Sequence, residues 1–387
     1  MIVNLIAVMT LGIWLYLLLA RGGFWRARER DDADLPASRA IWPAVVAVIP
    51  ARDEAANVGA AIGSLLRQDY PGSLSIVLVD DDSRDGTAQS ARQAAQLAQA
   101  DDRLTVLRGK PLPKGWTGKL WAMKQGIEAA TGVAQPPDYL LLTDADIVYS
   151  PDAVRRLVAR AQAGNFVLTS LMVKLRCESF AERALVPAFV FFFALLYPFA
   201  WVNRRDCATA AAAGGCMLVR PDALRRAGGI ETIRGALIDD CALAQALKLH
   251  GPIWIGLTHN VHSIRPYPRF GDIRRMVSRS AYAQLRYSPF LLAGTLVGLA
   301  LTYLAPPLLA LFASGMAQAI GALAWALMAL SFQPVLRFYR RSPLWGLALP
   351  AIALLYIAFT LDSAYQHVRG RGGSWKGRVQ GNVSELR

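Results

Sequence analysis

The chain has 387 residues, enough for one large domain or two ordinary ones. Its 42 Lys and Arg outnumber 28 Asp and Glu, a formal net charge of +14, and 54% of its residues are hydrophobic. That is too apolar for a soluble enzyme of this length. It also argues against a nucleic-acid partner, because many basic residues flank apolar runs instead of forming one stripe.

Residues 2–20, IVNLIAVMTLGIWLYLLLA, carry no charge. About 20 apolar residues span a hydrocarbon core. The basic cluster RGGFWRARER follows the run, whereas a cleavable leader has its basic residues in front. Residues 1–21 therefore read as a retained anchor with its N-terminus outside and the following chain in the cytoplasm. Residues 22–42, basic then acidic, read as a linker.

From about residue 43 the pattern alternates between strand and helix. PAVVAVIP (43–50) is a buried strand and EAANVGAAIGSLLRQ a helix. LSIVLVD is a second strand, followed by an Ala/Gln-rich helix, and LTVLRG is a third. KLWAMKQGIEAATG is a helix closed by Gly132, YLLLT is a fourth strand, and Ser150-Pro151-Asp152 reads as a helix start with Ser as the cap. This alternation predicts an α/β domain over 43–289 with a mostly parallel sheet covered on both faces. Within it, LVPAFVFFFALLYPFAWV (185–202) has only ten residues between its prolines, short for a span, and is expected to be an interfacial helix. The cysteines Cys177, Cys207, Cys216 and Cys241 show no metal-ligand spacing and read as reduced thiols.

Acid clusters punctuate these strands. Asp80-Asp81-Asp82 ends LSIVLVD, and Asp144 and Asp146 follow YLLLT. Ligands of open α/β sheets bind beyond the carboxyl ends of strands. Acids after the second strand suit a nucleobase or ribose, although Asp, Ser and Gly also favour plain turns. Asp-x-Asp suits Mg²⁺ or Mn²⁺, hard cations that keep one or two carboxylates beside substrate phosphates. Asp239-Asp240 opens the amphipathic IDDCALAQAL, where it serves either as a helix cap or as a proton acceptor. Lys119 in GWTGKLWAMKQG stands at a helix start, where the dipole disfavours a cation, so an anion partner is expected. His259 and His262, two apart, lack further zinc ligands.

Three apolar stretches follow, near 290–313, 316–335 and 344–361, within an expected membrane region of 290–362 and before a basic tail, 363–387. If all three cross, that tail falls outside, against the positive-inside rule. One stretch is therefore expected to be re-entrant or interfacial, with Pro306-Pro307 or Pro350 marking a break.

IPARDEAANVGAAIGSLLRQDYPG, IVLVDDDSRDGT, GWTGKLWAMKQG, LLTDAD, AGGCMLVRPDALRRAGG and the IDD helix occur in that order. Over about 43–285 the set resembles family 2 glycosyltransferases of the GT-A, nucleotide-diphospho-sugar transferase, fold. KPLPKGWTGKLWA and QLRYSP look like the hopanoid-biosynthesis-associated, membrane-bound subgroup. The resemblance implies a nucleotide-diphosphate sugar donor, a lipid acceptor and a divalent cation. It assigns Pro50, Ala51, Arg52, Asp53 and Glu54 to the nucleotide pocket, Asp80 and Asp81 to the base, Lys119 to the nucleotide, Asp144 and Asp146 to the metal with Asp146 the direct ligand, and Asp240 beside Asp239 to the catalytic base. Processive members carry Gln-x-x-Arg-Trp. Here Gln284-Leu285-Arg286-Tyr287 is one residue short with Tyr for Trp, which favours transfer of a single sugar over polymer synthesis. Gln284, Arg286 and Trp375 remain candidates for acceptor or diphosphate contact. A membrane nucleotidyltransferase on the same carboxylates and a non-catalytic scaffold are the rival readings.

Overall fold

A computed structural model describes residues 1–32, 42–370, 372–375 and 378–379. The chain divides into two compact units, one of helices and one built on a sheet.

The sheet unit takes residues 29–176, 201–266 and 374–387. Its strands are β1 (Val45–Ala51), β2 (Leu74–Asp80), β3 (Leu104–Arg108), β4 (Tyr139–Thr143), β5 (Ile147–Tyr149), β6 (Leu168–Lys174), β7 (Cys216–Val219) and β8 (Ile253–Ser263). Their order is β3-β2-β1-β4-β7-β6-β8-β5, all running one way except β7 and β5, which are antiparallel to their neighbours. The mostly parallel sheet expected from the alternation is present. Strands β1, β2 and β4 are nearly continuous apolar runs because helices cover both faces. Ile49, Ile62, Leu78, Leu141 and Val158 form part of one core.

One local expectation needs correction. The helix after Ser150-Pro151 begins later, at Ala153, with Asp152 as its cap. Ser150 is instead held in a turn: its N–H donates to Asn260 O at 2.7 Å and its O accepts from Gln68 Nε2 at 2.7 Å. Gly132 does close Gly118–Thr131, but at φ −79° and not in the left-handed region. Its value there is space, since an added Cβ would lie 2.8 Å from Glu128 O. Within the expected linker, residues 33–41 lie outside the described residues. Arg30 bridges to Leu257, and buried Asp31 accepts from Thr258 Oγ1 at 2.5 Å and Asn260 Nδ2 at 3.2 Å.

The helical unit takes residues 1–28, 177–200 and 267–373. Among the described residues three of its helices are long and apolar enough to cross a membrane: Ile2–Leu19, Pro289–Phe312 and Gly315–Phe338. Of the three C-terminal apolar stretches, the third forms Leu349–Val368 and is not among them; it carries Asp362, Gln366 and His367. The second helix changes pitch through a π turn, Ala300–Leu304, just before Pro306 and Pro307. Pro306 has no N–H for Thr302 O, and the indole of Trp14 donates to that oxygen at 2.8 Å instead. The run expected near 185–202 contributes the helix Phe180–Leu196, whose Phe191 and Phe192 pack edge-on against Phe332, Tyr303 and Tyr356.

That helix starts on a reciprocal cap. Ser179 Oγ accepts from Glu182 N at 3.1 Å, while buried Glu182 accepts from the N–H groups of Glu178, Ser179 and Tyr267 at 2.9, 2.8 and 2.7 Å. Glu182→Ala strands three donors and should lower stability by about 2–4 kcal/mol. A thermal melt of the full chain in detergent checks this; an unchanged melting temperature would show that the cap contributes nothing.

Candidate active site

The strand directions bring the acids together. The C-terminal ends of β1, β2, β4 and β8 lie on one edge of the sheet, and the start of β7 lies there too because β7 runs antiparallel.

After β1 and β2 two loops lock on each other. Asp81 N donates to Ala51 O at 2.8 Å, and the Arg52 guanidinium lies against the Asp81 carbonyl and 3.6 Å from its carboxylate. Asp53 N donates to Ser83 Oγ and Asp53 Oδ1 accepts from Arg84 N, both at 3.0 Å. Asp80 Oδ1 accepts from Ser83 N at 2.9 Å, and Glu54 N donates to Thr87 Oγ1 at 2.8 Å. Asp53 and Asp82 both sit at positive φ, 49° and 57°, which aspartate tolerates better than most residues. Pro50 and Ala51 end β1, paired with Val79 and Asp80.

After β4 the two acids of Asp-x-Asp diverge. Asp144 Oδ1 is 3.0 Å from Lys119 Nζ. Asp146, nearly buried, accepts at Oδ2 from Arg265 Nε at 2.8 Å and from Ser263 Oγ at 3.1 Å. Lys119 also reaches Asp239 Oδ2 at 3.1 Å. Two carboxylates thus compensate a lysine in the first turn of a helix, where the dipole opposes it. Burial works against its charge, but Asp144 and Asp239 outweigh burial and hold Lys119 protonated well above its ordinary range. Asp240 is fixed from two sides: its Oδ2 accepts from Gly214 N at 2.9 Å and its Oδ1 from Cys241 N at 2.8 Å. Burial, reinforced by the charge of Asp239 and opposed by Lys119, pushes the Asp240 carboxyl up to about 6. Burial likewise raises Asp144, against the pull of Lys119.

Of the residues singled out from sequence, β1, β2, β4, the helix Gly118–Thr131 and the IDD helix bring Arg52, Asp53, Glu54, Asp80, Asp81, Lys119, Asp144, Asp146, Asp239 and Asp240 to this edge. Gln284 and Arg286 belong to the helical unit. Gln284 Oε1 accepts from Tyr197 OH at 2.9 Å, and Arg286 and Tyr287 turn the chain at φ 51° and 56°. Trp375 lies in a two-residue strand, and its side chain is outside the description. His259 is 3.3 Å from Lys174 Nζ, and no group of three His, Cys, Asp or Glu able to cage a metal occurs among the described residues. Sequence reading missed Arg265, Ser263 and Gly214. Their only local signals were a strand end and a Gly-Gly pair. A cleft of about 710 Å³ lies at the opposite end of β1 and β4, lined by Pro43, Lys124, Asp138 and Arg220 among others, and holds none of these acids.

Residues 46–228 match the family described as Glycosyl transferase family 2. This segment is similar to family 2 glycosyltransferase domains. Two curated relatives align with part of the chain. An N-acetylglucosaminyltransferase of Mesorhizobium japonicum is 30% identical over 153 residues, covering 38% of this chain and 33% of the relative. An undecaprenyl-phosphate 4-deoxy-4-formamido-L-arabinose transferase of Pseudomonas fluorescens is 30% identical over 156 residues, covering 40% and 37%. The chain thus spans about a third of the length of these relatives. Among solved structures, the mannosyltransferase PcManGT of Pyrobaculum calidifontis, in complex with GDP-Man and Mn²⁺, superposes with a TM-score of 0.54 at 18% identity over 95% of this chain and 99% of that one. At that identity the likeness establishes the GT-A fold of the glycosyltransferase domain and leaves its chemistry to the site.

Proposed function

We propose that the protein transfers a single sugar, with inversion, from a nucleoside-diphosphate sugar to a lipid acceptor at a membrane surface, a hopanoid or other isoprenoid being the acceptor class the sequence resemblance favours. One observation carries this reading: Lys119 joins the acid beyond β4 to the Asp239-Asp240 pair, so a donor-side and an acceptor-side carboxylate share one cluster. The lipid-phosphate acceptor named for the Pseudomonas relative and the GDP-Man bound by the mannosyltransferase are consistent with it.

In this reading the β1 and β2 loops, from Pro50 to Glu54 and at Asp80 and Asp81, bind the nucleoside. Asp240 takes the proton of the acceptor hydroxyl as its oxygen bonds to the anomeric carbon. The bond from that carbon to the diphosphate breaks, and its electron pair leaves with the diphosphate. A carboxyl near 6 is ionised at neutral pH yet basic enough to share the proton, and the N–H groups of Gly214 and Cys241 keep its oxygens aimed. The acids fit a hard cation: carboxylates outnumber the cations Lys119 and Arg265, and the donors are all oxygen. Mg²⁺ or Mn²⁺ held by Asp144 and Asp146 would supply charge neutralisation for the departing diphosphate. Screening UDP-, GDP- and dTDP-sugars for binding to the purified full chain tests the reading; binding of none of them contradicts it.

For topology we propose crossings by Ile2–Leu19, Pro289–Phe312 and Gly315–Phe338, with Leu349–Val368 at the interface. This arrangement places the sheet unit, Arg337, Arg340, Arg341 and the basic tail together on the cytoplasmic side, satisfying the positive-inside rule. Asp102→Cys in a cysteine-free background should then resist an impermeant thiol reagent in intact cells and react after permeabilisation. Labelling of intact cells would invert the topology.

A further inference from the structure

We propose that Arg265 is an exchangeable counter-cation of the donor site, pairing Asp146 and Glu54 in the absence of a divalent cation and turning one arm to the donor's diphosphate in its presence. The inference rests on the glycosyltransferase reading above.

Three features point to exchange and not to a fixed structural pair. The first is stoichiometry. One guanidinium serves two carboxylates, from the loop after β1 and the turn after β4, so each acid holds only a share of it. The second is burial. The Glu54 and Asp146 side chains are 7% and 9% exposed, whereas that of Arg265 is 27% exposed. The arginine caps two desolvated acids from the solvent side, the side from which a ligand arrives. The third is anchoring. Ile264 N donates to Asp146 O at 3.0 Å, Arg265 N donates to Ser263 Oγ at 3.3 Å, and Pro266 follows, so the backbone is pinned while the long side chain can swing.

Its contacts and those of Ser263 to Asp146 both fall on Oδ2, so neither engages Oδ1. A planar guanidinium fork matches phosphate oxygens as well as carboxylate oxygens. Lys119 is poorly suited to this role because it is enclosed between Asp144 and Asp239. Two buried acids that lose their cation bind another more tightly, and that gives the proposal its sign.

The test uses the full chain in detergent, with no turnover involved. Binding of MnCl₂ alone is measured by electron paramagnetic resonance, binding of UDP and GDP is measured in saturating Mn²⁺, and thermal melts are run with and without Mn²⁺. Arg265→Gln should bind Mn²⁺ several-fold more tightly than wild type. It should bind nucleoside diphosphate about tenfold more weakly. Its apo form should melt lower, and Mn²⁺ should raise its melting temperature by more than it raises that of wild type. Glu54→Gln removes the carboxylate that competes with Asp146 for the guanidinium and should weaken Mn²⁺ binding. If Arg265→Gln does not fold, Arg265→Lys decides: it keeps the charge but not the fork, so diphosphate affinity should fall with Mn²⁺ affinity near wild type. Parallel loss of both affinities, or no change in either, overturns the proposal. Wild-type protein that binds neither Mn²⁺ nor nucleoside diphosphate overturns the donor reading itself, and this inference with it.

Discussion

Asp240→Asn should lower turnover by roughly 10²–10⁴ while leaving donor affinity nearly unchanged. The amide keeps the size of the carboxylate, and its oxygen can still accept one of the two N–H bonds from Gly214 and Cys241, so the fold should survive. What it loses is the capacity to take the acceptor's proton. Asp239→Asn should cost less, because Asp239 meets Lys119 and bears on Asp240 through its charge without taking the proton itself. The pH profile supplies an independent check. The Asp240 carboxyl is raised to about 6, so it is protonated and inactive below that value and ionised above it. Turnover should therefore fall as pH drops through about 6, and that limb should vanish from the residual activity of Asp240→Asn. Donor binding and turnover measured on one folded preparation separate the outcomes: normal turnover in the variant removes Asp240 from the role of base.

The second large effect belongs to the acids beyond β4. Asp144→Asn and Asp146→Asn each remove a charged oxygen donor and should weaken cation-dependent donor binding by about tenfold or more. The two should differ in stability. Asp146→Asn deprives the Arg265 guanidinium of the carboxylate at its Nε, whereas Asp144→Asn deprives Lys119 of one of two carboxylates and leaves Asp239 holding it. Titration of nucleotide sugar with and without EDTA checks the prediction. Equal affinity in the two conditions would remove the cation from the account.

The β/α alternation and the strand-end acids were legible because each rests on short-range physics. A short, β-branched apolar run such as LSIVLVD, bounded by turn residues, reads as a strand buried on both faces, and an acid at its end then has a defined edge of the sheet. The partners of those acids were not legible, since they arrive from distant strands. Arg265 reaches Asp146 from a position 119 residues later, and Gly214 N reaches Asp240 only because β7 runs antiparallel between β4 and β6. Lys119 shows both sides of this. Its awkward position at a helix start signalled an anionic partner, but nothing local identified Asp144 and Asp239 as that partner. The Ser150 turn was misplaced for the same reason: its hydrogen bonds go to Asn260 and Gln68, and Pro at a plausible first helical position cannot reveal that.

The most direct measurement is product analysis by ³¹P NMR of the purified full chain, given a nucleotide sugar that it binds, Mg²⁺ or Mn²⁺, and a membrane lipid extract. Glycosyl transfer predicts release of nucleoside diphosphate in the ³¹P spectrum, one sugar added per acceptor with inverted anomeric configuration by mass spectrometry and ¹H NMR of the lipid, and loss of both products in Asp240→Asn. Release of pyrophosphate instead would mean attack at phosphorus, and would contradict glycosyl transfer outright.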